Sequence, residues 1–223
     1  LFTHTIDTGI QHGTVTVMIN HVGYEVTTYR IDGEYEDARH PKEVIFTANL
    51  VEDLKRRDFT INAMAYNDRA GIVDEFDGIQ DLKDKVIRCV GNPKERFSED
   101  ALRMLRAVRF AAQLGFSIDE ATRDAIKELA PTLSKVSKER IAVELIKILV
   151  SDHPEELRTA YELGLTRVFM PEFDVAMKTM QHNPHHLYSV GEHSIVAMQH
   201  VQAERLIRLI MLLHDLAKPV VLT

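Results

Sequence analysis

The sequence predicts an α+β protein in which a strand-rich first part is followed by helices, and three observations predict it. Residues 13 to 31 alternate apolar and polar side chains with a period of two. Residues 63 to 76 repeat that pattern across a short turn. From Asp81 onward apolar residues recur at helical spacing between glycine and proline punctuation.

In the first alternating stretch, Val15, Val17 and Ile19 precede a turn at Asn20-His21-Val22-Gly23, and Tyr24, Val26 and Thr28 follow opposite Glu25, Thr27 and Tyr29. This reads as a β-hairpin with one buried face. Glu25 falls on the other face, midway along its strand, where a solvated side chain is the commoner outcome and a metal ligand the alternative. Residues 32–42, charged and turn-rich, read as a mobile loop. Residues 50–62 open like a helix and cluster Arg56, Arg57 and Asp58 ahead of Asn62. Such a cluster is ordinarily a surface ion pair of little energetic weight. Beside a sheet that carries an acid, however, an arginine suits a triphosphate, and Asp with Asn suit a ribose hydroxyl. A second hairpin is predicted from residues 63–67 and 72–76, joined through Asp68-Arg-Ala-Gly71. Helices follow at 99–115, 119–130, 137–151 and 154–164, with Gly115 and Gly164 as stops and Pro131 and Pro154 between them.

The first of these helices organises the functional reading. At about 100° per residue, Ala101, Leu102, Met104, Leu105, Val108 and Ala112 gather on one arc, while Asp100, Arg103, Arg106 and Arg109 wind across the other. Ser98 as N-cap would put Glu99 and Asp100 in the first turn, where the helix dipole favours acids. A solvated face explains the arginines equally well. Yet Asp100 and Arg103, three apart, can together present one acceptor and a fork of donors to a planar partner. Cytosine and adenine show an amino donor beside a ring-nitrogen acceptor, whereas uracil and guanine show a carbonyl beside a ring N–H. A carboxylate plus a guanidinium therefore fits C and A. The reading requires that both groups face a cleft beside Arg57 and are not engaged by other side chains.

Composition bounds the rest. With 223 residues, 45% hydrophobic and 27% charged, the chain has the make-up of a soluble globular protein. A net charge of −7 gives no global basic footprint, so a polyanion must be held by a local patch. Cys89 is the only cysteine, which rules out an intramolecular disulfide and suits a reducing cytoplasm. The apolar run from Leu206 to Leu213 is interrupted by Arg208 and too short to span a bilayer, and no secretory leader opens the chain, so no membrane is expected. Oligomeric state stays open. Near the end, His193 and the adjacent His214-Asp215 would lie on successive helices, and imidazoles with a carboxylate are divalent-metal ligands.

Three runs in order carry a family resemblance: Glu52-Asp-Leu-Lys-Arg-Arg-Asp-Phe-Thr-Ile-Asn-Ala-Met-Ala, then Gly71-Ile-Val-Asp-Glu-Phe-Asp-Gly-Ile-Gln-Asp-Leu, then Arg96-Phe-Ser-Glu-Asp-Ala-Leu-Arg-Met-Leu-Arg-Ala-Val-Arg-Phe. Together they resemble the bacterial class II tRNA nucleotidyltransferases, the CCA-adding enzymes, which share the pattern with bacterial poly(A) polymerases. Residues 182–219 resemble the HD superfamily of metal-dependent phosphohydrolases. The resemblance implies a polymerase-beta-like palm sheet as an N-terminally truncated nucleotidyltransferase head at 1–84, a helical neck for base recognition and RNA binding at 85–150, a helical body at 151–180, and a partial HD domain at 181–223. It implies Mg2+-dependent attack of a tRNA 3′-OH on the α-phosphate of CTP or ATP, with a second divalent metal in the HD part. Glu25 matches the third acid of the family's magnesium site, whose Asp-x-Asp pair is expected upstream of Leu1, so that residues 1–223 alone are expected to be inactive. Arg57 is implied at the triphosphate, Asp58 and Asn62 at the sugar, Asp100 with Arg103 at the base edge, and Arg106 and Arg109 at phosphates or in support of that pair. Residues 32–44 match the loop that switches C to A addition, and His193, His214 and Asp215 match the first HD ligands, with Lys218 after them. The implied partners are CTP, ATP and the acceptor stem and 3′ end of tRNA. Alternatives are a poly(A), A- or CC-adding enzyme, an HD phosphohydrolase with a non-catalytic nucleotide-binding head, and an RNA-binding fragment.

Overall fold

A computed structural model describes residues 2, 4–10, 13–33, 44–181 and 188–221. The alternating stretch forms an antiparallel sheet in the order β1 (Thr5–Gly9), β2 (Thr14–Ile19), β3 (Val22–Thr27). Asn20 and His21 between β2 and β3 both have positive φ, 49° and 64°, the left-handed pair whose twist matches a two-residue hairpin. The register sets Val15 opposite Val26, Val17 opposite Tyr24 and Thr16 opposite Glu25. Alternation therefore placed Glu25 and the apolar residues on opposite faces as expected. The expected buried face is found only in part: Val17 is 3% exposed, but every residue of β3 is exposed. A sheet face is buried only where a second layer covers it, and among the described residues none covers β3.

A separate pair, β4 (Arg30–Asp32) and β5 (Val44–Phe46), runs antiparallel. Of the stretch expected to be a mobile loop, residues 32–42, residues 34–42 lie outside the described residues. The short helix α1 (Leu50–Lys55) begins at Asn49, whose side chain accepts the Val51 N–H, and a single 3-10 turn follows at Thr60–Asn62. The second hairpin, β6 (Met64–Asn67) with β7 (Gly71–Asp74), forms as the alternation predicts. Helix α2 (Gly78–Asp84) leads to β8 (Val86–Ile87), which pairs in parallel with β9 (Ser117–Ile118).

Between these two strands the structure corrects the reading of a single helix over 99–115. There are two helices, α3 (Pro93–Glu99) and α4 (Leu102–Leu114). Asp100 breaks them, with extended φ −144° and ψ 103°. Ser98 is not the cap; it closes α3, its hydroxyl donating to the Lys94 carbonyl at 2.7 Å. The cap is Asp100, whose Oδ1 accepts the Leu102 N–H at 3.0 Å. A short acid at an extended position ahead of a helix satisfies an otherwise orphaned N–H, which a continuous helix would not need.

The remaining helices are α5 (Glu120–Leu129), α6 (Lys138–Leu149), α7 (Glu156–Glu162), α8 (Thr166–Phe169), α9 (Pro171–Lys178), α10 (Val190–Gln199), α11 (Arg205–Leu213) and α12 (Lys218–Val221). Gly115 and Gly164 end α4 and α7 at φ 65° and 78°, as predicted. One buried cluster runs from Phe59 and Ile87 through Met104, Leu105 and Ile148 to Ile195 and Leu212. It crosses the boundaries expected at residues 84, 150 and 180, so the helical part shares one core. No helix among the described residues is long and apolar enough to cross a membrane.

Candidate functional site

Where α1 and its following turn meet the α3–α4 break, a cleft of about 560 Å³ opens. Five arginines (56, 57, 103, 106 and 140) and three aspartates (53, 58 and 100) line it, with Thr27, Tyr29, Asn62 and Leu102. The chain as a whole is acidic, yet this concavity carries more guanidinium than carboxylate, the local patch that an anion needs.

The turn after α1 supplies a connected trio. Asp58, 8% exposed, accepts from the Phe59 N–H at 2.9 Å and from Asn62 Nδ2 at 3.2 Å through Oδ1. Its Oδ2 accepts from Nε and Nη2 of Arg106 on α4, at 2.8 and 2.5 Å. Arg106 thus reaches the cleft as a clamp on Asp58. Arg57 sends Nη1 to the Asn62 carbonyl at 3.2 Å, and its Nη2 lies 3.4 Å from Asp53 Oδ2.

Asp100 and Arg103 both line the same cleft as Arg57, so the first requirement of the base-edge reading is met. The second is not. Asp100 Oδ2 accepts from Arg140 Nη2 of α6 at 2.7 Å, while Arg103 Nη1 donates to Glu99 Oε2 at 2.6 Å and to the Arg96 carbonyl at 3.2 Å. Arg103 Nη2 donates to the Arg56 carbonyl at 3.1 Å. Both groups are held by neighbours in this structure. Sequence spacing missed Arg140 because it arrives from another helix, 40 residues on.

Arg109 lies elsewhere. Its side chain is buried, with Nε 3.1 Å from Glu144 Oε2 on α6 and its guanidinium 3.9 Å from the Phe110 ring centre. Burial, only partly offset by the charge of Glu144, lowers its pKa. The helical wheel put Arg109 on the polar arc; packing of α6 against α4 turned that part of the arc inward. The Cys89 thiol, buried in the core, is pushed up to about 12 by desolvation and is no nucleophile at neutral pH.

Glu25 stands exposed on β3, on the same face as Thr27, which lines the cleft. Among the described residues it joins no group of three or more acids, cysteines or histidines close enough to share an ion. For the magnesium that the resemblance implies, the described residues therefore supply one candidate ligand and not a centre. His193, His214 and Asp215 do form such a group, with ligand atoms within 4.8 Å of one another. His214 Nδ1 is 2.9 Å from the Met211 carbonyl, and its Nε2 is 3.3 Å from Asp215 Oδ2. Lys218 Nζ is 2.6 Å from Asp215 Oδ2, a cation already at the carboxylate that an ion would share.

Comparison with known proteins matches residues 1–88 to the poly A polymerase head domain and residues 115–177 to a probable RNA and SrmB binding site of polymerase A. The chain is 54% identical over 154 residues to a CCA-adding enzyme of Limosilactobacillus reuteri, covering 69% of this chain and 38% of that protein. It thus spans about two fifths of the length of the curated relatives it matches. Among solved structures, the Bacillus stearothermophilus CCA-adding enzyme in complex with CTP superposes with a TM-score of 0.71 at 40% identity, covering 78% of this chain and 43% of that one. A tRNA nucleotidyltransferase complexed with a primer tRNA and an incoming ATP analog superposes with a TM-score of 0.66 at 26% identity, covering 95% and 60%.

Proposed function

This chain belongs to the family of CCA-adding tRNA nucleotidyltransferases and poly(A) polymerases, and from that premise we propose that the protein adds C and A from CTP and ATP to the 3′ end of tRNA. The terminal ribose 3′-OH would form a bond to the α-phosphorus as the bond to the β-phosphate oxygen breaks, releasing pyrophosphate. A divalent ion, magnesium in this reading with Glu25 as one ligand, supplies charge compensation when bound. The chain's own residues position: Arg57 for the triphosphate, Asp58 and Asn62 for the sugar, with Arg106 fixing Asp58, and Asp100 with Arg103 for the base. Arg109 acts from behind, bracing α4 on α6. Residues 1–84, 85–150, 151–180 and 181–223 serve as head, neck, body and HD part, and the compartment is the cytoplasm.

The observation that carries this reading is that Asp100 and Arg103 share one arginine-rich cleft with Arg57, Asp58 and Asn62. Their present bonds leave the second requirement unmet, so a base would have to share or displace them. Each carboxylate oxygen has two lone pairs, so Asp100 can accept an amino group while holding Arg140 and the Leu102 N–H. A base at Arg103 would share or displace Glu99. The test is full-length protein given tRNA ending at the discriminator base and each nucleotide singly and in pairs. Stepwise C, C and A addition is expected. Long tails from ATP alone would instead make it a poly(A) polymerase. Arg103→Ala or Asp100→Ala is expected to erode the choice of C and A over U and G by tenfold or more while tRNA binding holds. Equal loss of all four nucleotides with unchanged selectivity rejects the base-edge role.

A second reading rests on the His193, His214 and Asp215 group: a divalent-metal site of the HD kind. Titrating this chain with Mn2+ or Co2+ is expected to show binding that His214→Ala removes.

A further inference from the structure

We propose that Asp53 is a positioning residue for the phosphate side of the cleft: this one buried carboxylate aims the guanidiniums of Arg56 and Arg57 into it. The inference rests on the nucleotide reading above. Asp53 is 3% exposed on α1 at the wall of the cleft, which the arginines three and four residues on also line. Its Oδ1 accepts from Arg56 Nε and Nη2 at 3.0 and 2.7 Å and from the Arg30 N–H of β4 at 3.2 Å. Its Oδ2 lies 3.4 Å from Arg57 Nη2.

An ordinary helical ion pair is exposed on both sides and fixes little. Here the acid is buried and tied to a separate strand, so its position is set by the fold and not by the helix alone. Burial by itself pushes the carboxyl up, but the hydrogen bond and charge of Arg56, the Arg30 N–H and the charge of Arg57 together hold it below the usual carboxylate value. A fixed anion between two long cations selects a conformation for each and lowers their mutual repulsion. The ordering is then met before an anionic ligand arrives. The Arg56 carbonyl accepts from Arg103, so the same short segment connects the phosphate side to the base side.

The test compares binding of tripolyphosphate, CTP, UTP and cytidine to this chain and its variants by calorimetry, with thermal unfolding as the check on folding. Asp53→Asn is expected to weaken tripolyphosphate and CTP about tenfold or more, leaving cytidine affinity and the preference for CTP over UTP unchanged. In an Arg57→Gln background the same change is expected to add less than it does alone, because it acts through the arginine. Should Asp53→Asn unfold, Asp53→Glu, with its charge displaced by one methylene, is read in its place, with the same expectation in smaller measure. Unchanged tripolyphosphate affinity in a folded variant, equal loss of cytidine and tripolyphosphate, or full additivity with Arg57→Gln overturns the role of Asp53 alone. If the unaltered chain binds neither CTP nor tripolyphosphate, the cleft reading itself falls, and this inference with it.

Discussion

At Asp100 a single carboxylate ends one helix, caps the next and holds an arginine from a third. A residue so constrained presents its remaining lone pairs in a fixed direction, as the base-edge role proposed for it would require. Arg109 and Glu144 show the opposite use of charge. Their contact is buried and turned away from the cleft, and removing one partner strands the other. Arg109→Met is expected to cost about 3–5 kcal/mol in urea unfolding, and adding Glu144→Leu to recover most of it, since a buried pair is often replaceable by apolar packing. Asp53 yields a pH prediction. Its folded pKa lies below the ordinary value, so its contribution is present above the unfolded pKa, near 3.9, and is lost as pH falls through the folded one. The urea midpoint of the wild type is expected to drop more between pH 6 and pH 3 than that of Asp53→Asn.

Among the elements, the turn at Thr60–Asn62 matters most to the cleft because Asn62 and Arg57 hang from it. Its backbone is approached by the start of α2 so closely that a Cβ on Gly78 would lie 2.3 Å from the Thr60 carbonyl oxygen. Backbone cannot give way as a side-chain tip can. Gly78→Ala is therefore expected to destabilise by about 1–3 kcal/mol and to weaken CTP binding although it touches no ligand, measured by thermal unfolding and calorimetry together. The α3–α4 break is the second decisive element. Every residue from Glu99 to Phe110 suits one amphipathic helix, and periodicity has no means of marking the point where a side chain outcompetes an intrahelical bond.

Across the molecule, a core continuous from Phe59 to Leu212 joins the cleft's α4 wall to the helices that carry the histidines. The helical part is expected to unfold in one transition, with far-UV signal and core-probe signal coinciding; two separated transitions would mark independent units. By contrast no residue of the β1–β3 sheet joins that core among the described residues; its buried hydrophobic residue, Val17, lies outside it.

Spacing alone determined the hairpins and the helix stops at Gly115 and Gly164, because turns and periodicity are local and each is written in a few adjacent residues. The order of the motifs was likewise enough to point to the family. Only the tertiary structure decided which polar groups meet: that Arg140 answers Asp100, that Arg106 clamps Asp58, and that Arg109 turns to Glu144 instead of the cleft. Those pairings span about 35 to 50 residues, and a side chain on a helix face goes to solvent, ligand or neighbour according to what packs against that face, which no local pattern contains.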